Sequence, residues 1–208
     1  MLAHVLDKSR EWVLSHPEKT VNKIQKLKYK YLIKKRARGI PLAYLIKHKE
    51  FFGLDFFVNK NVLIPRPDTE TLVTLALEHL STKAQDKITL IDVGTGSGCI
   101  PISIIKTLKH SAQGGSALGG KNIKTFAIDI SRRALRVAKI NAKKHAVKIN
   151  FLHGNLLSPF INLIPKLPKT YNLVITANLP YITKEQFAAE PSIHHEPRLA
   201  LVAEESGL

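Results

Sequence analysis

The chain is poor in cysteine, in acidic residues and in long apolar runs, and each shortage excludes something. One cysteine, Cys99, in 208 residues leaves no partner for an internal disulfide, so a disulfide-stapled scaffold is ruled out. No apolar stretch approaches the ~18 residues of a membrane-spanning helix. The opening residues, with Lys8, Arg10 and Glu11 close behind Met1, lack the charged-then-apolar layout of a secretory signal. A reducing cytoplasm and no membrane attachment are therefore expected. Acidic residues number 16 against 32 Lys and Arg, a formal charge of +16. Residues 1–50 hold 13 of the basic and 4 of the acidic residues, so the excess is concentrated N-terminally. Such a surface attracts phosphate-rich or acidic partners, or it is simply a solvated lysine face.

The content that remains is ordinary for a folded protein, 44% hydrophobic and 23% charged. The length suits one substantial domain plus a small appendage. From Leu2 to about Arg38 apolar residues recur at helical spacing, with a break at Ser15-His16-Pro17, which predicts two short helices. In the second, Lys23, Lys26, Lys30 and Lys34 alternate with Ile24, Leu27, Tyr31 and Leu32, the pattern of an amphipathic helix with a basic outer face. Gly39-Ile40-Pro41 ends it. Residues 51–64 predict an aromatic-rich β-hairpin turning near Asn59-Lys60-Asn61. Asp68 or Thr69 then caps a helix through Leu72, Leu75, Ala76 and Leu80. From residue 87 four strand candidates, Ile88–Val93, Ile123–Ile128, Val147–Leu152 and Leu173–Ala177, alternate with crossover-length segments. This predicts βαβ units and a parallel sheet buried on both faces. The glycine-rich stretch Ser111 to Gly120 reads as a mobile surface loop.

Asp92-Val93-Gly94-Thr95-Gly96-Ser97-Gly98 lies between the first of these strands and a helical run, Ile100–Leu108. Glycines at a strand-to-helix turn let the backbone approach a ligand and aim free helix N–H groups at it. The dinucleotide spacing G-x-G-x-x-G and the phosphate-cradling G-K-[ST] ending are both absent. G-x-G-x-G with a preceding acid is the pattern of S-adenosylmethionine-dependent methyltransferases. Asp129, at the carboxyl end of the second strand, can accept both hydroxyls of a ribose. After the third strand, Asn155 can bond an adenine amine and Leu156 can cover the ring. The fourth strand runs into Asn178-Leu179-Pro180-Tyr181, which resembles the [DNS]-P-P-[YFW] motif of enzymes that methylate planar nitrogen. Such a nitrogen has a delocalised lone pair and must be oriented. The Asn178 oxygen and the carbonyl of Leu179 can each accept one of its N–H groups while Tyr181 packs on its face.

These segments together resemble the HemK/PrmC family of protein-(glutamine-N5) methyltransferases. The resemblance also takes in Gly39 to Tyr44, Glu50 to Leu54, Leu63 to Glu70 (Leu-Ile-Pro-Arg-Pro-Asp-Thr-Glu), Asp129 to Ser131 and Glu196 to Leu201. It implies a Rossmann-like α/β methyltransferase sheet preceded by a helical domain. Its boundaries would be a helical domain at 1–48 that docks the substrate, a hairpin linker at 49–66 and a methyltransferase domain at 67–208. It further implies S-adenosyl-L-methionine as cofactor and, as substrate, the Gly-Gly-Gln glutamine of a peptide chain release factor, with no stable nucleic-acid complex and a monomeric enzyme. Three positions depart from the family pattern: Leu179 replaces the first proline, Asn155 the usual acid and Leu156 a frequent aromatic. The four strand candidates are fewer than a family domain contains, so a partial sequence is expected, with weak or no activity if the cellular chain ends at Leu208. Two other readings stay open: methylation of an exocyclic base amine in RNA or DNA, and a non-catalytic binding module. A ribosomal-protein glutamine is also an open substrate.

Among isolated residues, Trp12 and the phenylalanines of the hairpin read as core rather than a stacking platform, and Cys99 as a packed side chain rather than a nucleophile. His194-His195-Glu196 lacks metal-ligand spacing. Arg66 and Glu70 are expected to brace the hairpin, and Arg198 to orient the Glu196-Pro197 loop.

Overall fold

The computed structural model describes residues 1–82, 87–113, 122–164 and 172–203. Four helices open the chain: α1 (Leu2–Leu6), α2 (Arg10–Ser15), α3 (Lys23–Ala37) and α4 (Leu42–Ile46). The break after Ser15 is as predicted, but the first expected helix is split. Asp7 takes a left-handed conformation (φ 53°) and ends α1, and the Ser9 side chain accepts from Trp12 N to start α2. A reciprocal cap begins α3, where Gln25 N donates to Asn22 Oδ1 and Asn22 N donates to Gln25 Oε1. Gly39 (φ 85°) follows the end of α3. The amphipathic expectation for α3 is corrected: Leu32 is buried, whereas Ile24, Leu27 and Tyr31 are exposed. The apolar residues do not gather on one face of α3, and of them only Leu32 is buried.

The hairpin also differs from expectation. Strands β1 (Lys49–Phe51) and β2 (Leu54–Phe56) pair antiparallel with Phe51 opposite Leu54, so the turn is Phe52-Gly53. Both turn residues have positive φ, the geometry that suits the right-handed twist of a two-residue hairpin. Asn59-Lys60-Asn61 forms a separate turn, in which Asn61 N donates to Asn59 Oδ1. Phe51 and Phe56 are core residues in edge contact, ring centres 6.1 Å apart.

Helix α5 (Thr69–Thr82) leads into the sheet, built from β3 (Lys87–Val93), β4 (Asn122–Asp129), β5 (Asn150–His153) and β6 (Asn172–Ala177) in the order β5-β4-β3-β6, all parallel. Helices α6 (Cys99–Gln113) and α7 (Arg132–Lys144) are its crossovers, α8 (Ser158–Ile161) follows β5 and α9 (Lys184–Ala189) follows β6. Val93 pairs with both Ile128 and Ala177, and Asp129 with His153, so the four carboxyl ends finish level. On α5, Val73, Leu77 and Leu80 enter the core while Leu75 is exposed.

Three expectations about the sheet need amendment. Val147 is not in a strand: its N–H returns to Ala142 O while Ala146 N bonds Lys143 O, a Schellman closure of α7 with Val147 as its apolar contact. Burial on both faces holds for β3 and β4, but Leu173 and Ile175 are exposed because β6 is an edge strand covered on one face. Of the glycine-rich stretch, residues 111–113 end α6 and 114–120 lie outside the described residues.

Gly98 (φ 79°) sits where α6 crosses α7, and a Cβ there would lie 3.2 Å from Ile102 Cδ1 and 3.3 Å from Ala138 Cβ. Gly53 (φ 69°) has no atom within 4 Å of the same position. Gly53→Ala should therefore cost about 1 kcal/mol of backbone strain alone, and Gly98→Ala about 1–3 kcal/mol more from overpacking. Urea unfolding of the two variants checks this, and equal midpoints would contradict the close approach of α6 and α7.

Candidate active site

Because the strands end level, the segments that leave them converge on one crevice, as in other doubly wound sheets. It is a cavity of about 560 Å³, within the range of small-ligand sites. Its floor is the glycine loop. Gly94, Gly96 and Gly98 all have positive φ, alternating with Thr95 and Ser97. Thr95 N donates to Ile128 O at 3.0 Å and Gly98 N to Thr95 O at 2.8 Å, pinning the loop to the end of β4 and closing it onto α6. Gly94, Thr95, Gly96 and Ser97 line the cavity. Gly98 is not among the lining residues; it lets α6 approach α7.

Asp129 lines the cavity from β4. Its Oδ2 accepts from Gly96 N at 2.9 Å and its Oδ1 from Ser131 N at 2.8 Å, so the carboxylate is held in one orientation with a lone pair on each oxygen still available. Burial raises its pKa, and the two backbone donors oppose that rise. Gly154 N bonds Asp129 O at 3.2 Å, which brings Asn155 and Leu156 to the cavity wall; Leu156 has φ 46°.

Asn178, Leu179 and Pro180 line the opposite wall. Asn178 Nδ2 donates to Thr69 Oγ1 at 3.2 Å, so Oδ1 is the amide atom left for a ligand. Leu179 packs over the glycine loop, its Cδ2 being 3.1 Å from where a Cβ of Gly94 would lie. Tyr181 does not join them. It is 69% exposed and outside the lining. The physical reason is the parallel bridge of Ile182 to Val202, where Ile182 N donates to Leu201 O and Ala203 N to Ile182 O. That segment is extended, so Tyr181 faces away from the side taken by its neighbours.

The remaining walls come from the hairpin exit and the segment around Pro197. They are joined by Glu196, whose side chain is 3% exposed. Its Oε2 accepts from Ile64 N at 3.0 Å and its Oε1 from Arg66 Nη2 at 2.5 Å. Arg66 thus braces the hairpin as expected, and Glu70 does so too by accepting from Phe52 N. Arg66, not Arg198, holds the Glu196 loop; Arg198 contributes its carbonyl to Leu201 N and Val202 N. His194 bonds Phe187 O and His195 bonds Arg38 O. Among the described residues no group of three or more His, Cys, Asp or Glu could hold a metal ion. Burial pushes the Cys99 thiol up to about 12, which keeps it protonated at the cavity wall.

Two important residues, Thr69 and Asn141, were not singled out from sequence as parts of the site, and Asp92 was noted only as the acid before the glycine loop. Thr69 was read only as a helix cap. Asn141, fully buried on α7, accepts from Phe57 N and donates to Phe57 O and Ser97 O, joining the linker to the glycine loop. Asp92 is fully buried; its Oδ1 accepts from Thr176 Oγ1 at 2.8 Å, while Oδ2 and the nearby Thr95 Oγ1 have no partner among the described residues. An asparagine on the apolar face of α7, between Ala138 and Ala142, was the available signal for Asn141.

Residues 1–46 match the PrmC N-terminal domain family, and residues 84–202 match a methyltransferase domain family. The whole chain aligns at 37% identity with 69% of the release factor glutamine methyltransferase of Bacillus anthracis. The chain belongs to the release factor glutamine methyltransferase family. A further member, from Bordetella pertussis, is 36% identical over all of this chain and 70% of its own length. The chain therefore spans about 70% of the length of these family members. The catalytic domain of human METTL16, solved with a MAT2A 3′UTR hairpin, shares the fold at 18% identity and a TM-score of 0.53, covering 79% of this chain and 55% of that one. No helix among the described residues is long and apolar enough to cross a membrane.

Asp92 gives this family member a measurable pH signature. Burial raises its carboxyl from 3.8 to about 7, against the hydrogen bond from Thr176. Between those values the folded state holds a proton that the unfolded chain has released, so this group's contribution is full below pH 4 and is lost as the pH rises through 7. Asp92→Asn removes that dependence while keeping an oxygen for Thr176. The melting temperature of the wild type relative to the variant should fall across this window, and a constant difference would show that Asp92 is ionised throughout.

Proposed function

We propose that this chain transfers a methyl group from S-adenosyl-L-methionine to the side-chain amide nitrogen of the glutamine in the Gly-Gly-Gln motif of peptide chain release factors. One observation carries the reading: Asn178, with its oxygen left for a ligand, stands in the same cavity as the glycine loop and Asp129.

The residues present fit the cofactor. A Cβ at Gly96 would meet only the Gly94 carbonyl, 3.9 Å away, so the bare Cα leaves room beside the loop. The buried Thr95 hydroxyl lacks a partner among the described residues. Asp129 is held to accept both ribose hydroxyls, Gly94 to Ser97 supply the close backbone, and Asn155 and Leu156 border the base. When bound, the cofactor would supply a sulfonium methyl group, whose carbon–sulfur bond would break as the carbon–nitrogen bond formed, with the nitrogen's proton leaving to solvent.

The protein's part is orientation and electrostatics. Asn178 Oδ1 and the Leu179 carbonyl each accept one N–H of the target amide, turning its lone pair out of conjugation toward the methyl group. Pro180 restricts Leu179 to an extended backbone. Residues 1–48, with the basic helix α3, are assigned to docking the release factor, 49–66 to the linker and 67–208 to methyl transfer. The family matches at 1–46 and 84–202 support that division. Action in the cytoplasm suits the single, free and buried cysteine, and a monomer is proposed with it.

Incubation with labelled cofactor should place the methyl group on a recombinant release factor, and not on its Gly-Gly-Asn variant or on total RNA. Label in RNA alone would replace this reading with base methylation. Asn178→Ala should abolish transfer while leaving cofactor binding by calorimetry nearly unchanged; loss of cofactor binding would mean that Asn178 has been given the wrong role.

A further inference from the structure

His194-His195-Glu196 lacks the spacing of a metal site, yet the structure gives its middle residue a specific use. His195 Nε2 lies 2.9 Å from Arg38 O, 157 positions earlier in the chain. A carbonyl only accepts, so the proton of this bond sits on Nε2 and its direction is fixed. The acceptor stands at the end of α3. The approach is close because residue 39 is glycine: a Cβ there would lie 3.2 Å from Nε2 and 3.4 Å from Cδ2 of the His195 ring.

Little else holds α3 to the sheet domain. Helix α4 is anchored, with Ala43 and Tyr44 packed against Val58, Val62 and Val137 and the Tyr44 hydroxyl donating to Val62 O at 2.5 Å. Beside it lies a cleft of about 710 Å³, lined by Gly39 and Leu42 as well as by Ile64 and Ile193, so packing leaves the end of α3 unfilled on that side. Among the described residues, the His195 bond is the hydrogen bond that joins α1, α2 and α3 to the chain beyond the hairpin linker. Helix α3 has 15 residues and is about 22 Å long, so a rotation of about 10° at Gly39 would carry its far end about 4 Å. A small slack at this joint is therefore a large displacement of the basic surface.

The donor itself is firmly placed. Glu196 N bonds Ile193 O at 2.9 Å, closing the turn that carries His195. The Glu196 side chain holds Ile64 and Arg66, and Arg66 lines both the cleft and the reaction cavity. Two successive residues thus tie the basic helix and the cavity wall to one turn.

We propose that His195 is a positioning residue that latches α3 in a fixed orientation to the reaction cavity, so that a release factor captured on the helices presents its glutamine to Asn178. The proposal rests on the methyl-transfer reading above and deepens it, by naming what sets the geometry between the docking and the reacting regions. Helix α3 carries cations along its length and no acidic residue, so capture depends on where that length points. The bond is exposed to solvent, and its effect is graded: it narrows the orientation of α3 and does not hold the fold together. His195 does not line the reaction cavity, so its loss falls on capture of the substrate and not on methyl transfer.

The test compares His195→Leu, which keeps bulk and removes the donor, with His195→Gln, whose amide nitrogen can take the place of Nε2. His195→Leu should raise KM for a release factor about threefold to fivefold at unchanged kcat, the scale of one exposed hydrogen bond, and His195→Gln should stay within about twofold of wild type. Cofactor affinity by calorimetry should not change in either. A second readout does not need turnover. Spin labels at Lys23→Cys, on the far end of α3, and Leu75→Cys, on the outer face of α5, occupy exposed positions, and Cys99 is buried. The distance distribution between them by pulsed electron-spin resonance should be narrow in the wild-type background and in His195→Gln, and broad in His195→Leu. An unbroadened distribution in His195→Leu overturns the latch, and a broadened one with wild-type KM, or a loss confined to kcat, overturns its part in substrate capture. If the protein with His195 intact labels no release factor, the methyl-transfer reading fails, and the distance distributions still decide whether His195 holds α3. His195→Ala replaces His195→Leu in both measurements if the latter does not fold.

Discussion

The site depends on a buried amide. Asn141 sits on the inner face of α7 and satisfies three backbone groups at once, the N–H and carbonyl of Phe57 and the carbonyl of Ser97. Phe57 follows the hairpin and Ser97 lies in the glycine loop, 40 positions later. Each of these backbone groups would be costly to bury without a partner, by about 1–3 kcal/mol. One side chain therefore fixes where the linker crosses the domain and how the loop is presented. The loop cannot shift without breaking bonds to α7, and α7 cannot approach so closely without the bare Cα of Gly98.

From that anchor the walls follow in sequence. Level strand ends bring Asp129, Gly154 and Asn178 to the loop that Asn141 holds. Glu196 then closes the side that the sheet leaves open, binding Ile64 and Arg66 from a point some 130 residues further along the chain. A carboxylate with a buried side chain is tolerated there because one oxygen meets a guanidinium and the other a backbone N–H. It also offsets the charge of Arg66, which would otherwise stand alone at the cavity rim.

Most of the sheet and the residues that line the cavity were legible in the sequence because the signals were local. A β-branched run followed by alternating glycines defines β3 and its loop without help from elsewhere, and the strand ends at Asp129 and Ala177 fell where expected. The failures share a cause. Asn59-Lys60-Asn61 carries better turn residues than Phe52-Gly53, yet the hairpin turns at the latter because Phe51 and Phe56 must pair into the core, a tertiary demand that overrides local preference. Val147 reads as strand because an apolar helix stop and an apolar strand start look alike. Asn141, Glu196 and Thr69 act on partners 44 to 132 positions away, and no local pattern announces such pairings. Tyr181 was assigned inward by motif, whereas the bridge at Ile182 turns it out.

The distribution of charge bears on what this site can hold. The chain carries +16, but the cavity does not share it: its side-chain polar atoms include the carboxylate of Asp129 and the oxygen of Asn178, with Asp92 buried beneath the loop, and Arg66 is neutralised by Glu196. A cavity lined by one carboxylate and by no unpaired cation suits ligands that bring donors or positive charge, namely ribose hydroxyls, a sulfonium and an amide nitrogen. A strand of phosphates would meet repulsion at these walls. The basic excess lies instead on the N-terminal helices, with α3 alone carrying Lys23, Lys26, Lys28, Lys30, Lys34, Lys35 and Arg36 and no acidic residue. Charge of that sign, set apart from the chemistry, acts on the capture of a partner rather than on the reacting group. The same +16 that first suggested nucleic acid thus agrees better with a protein substrate held by one region while its side chain enters a site of opposite character in another.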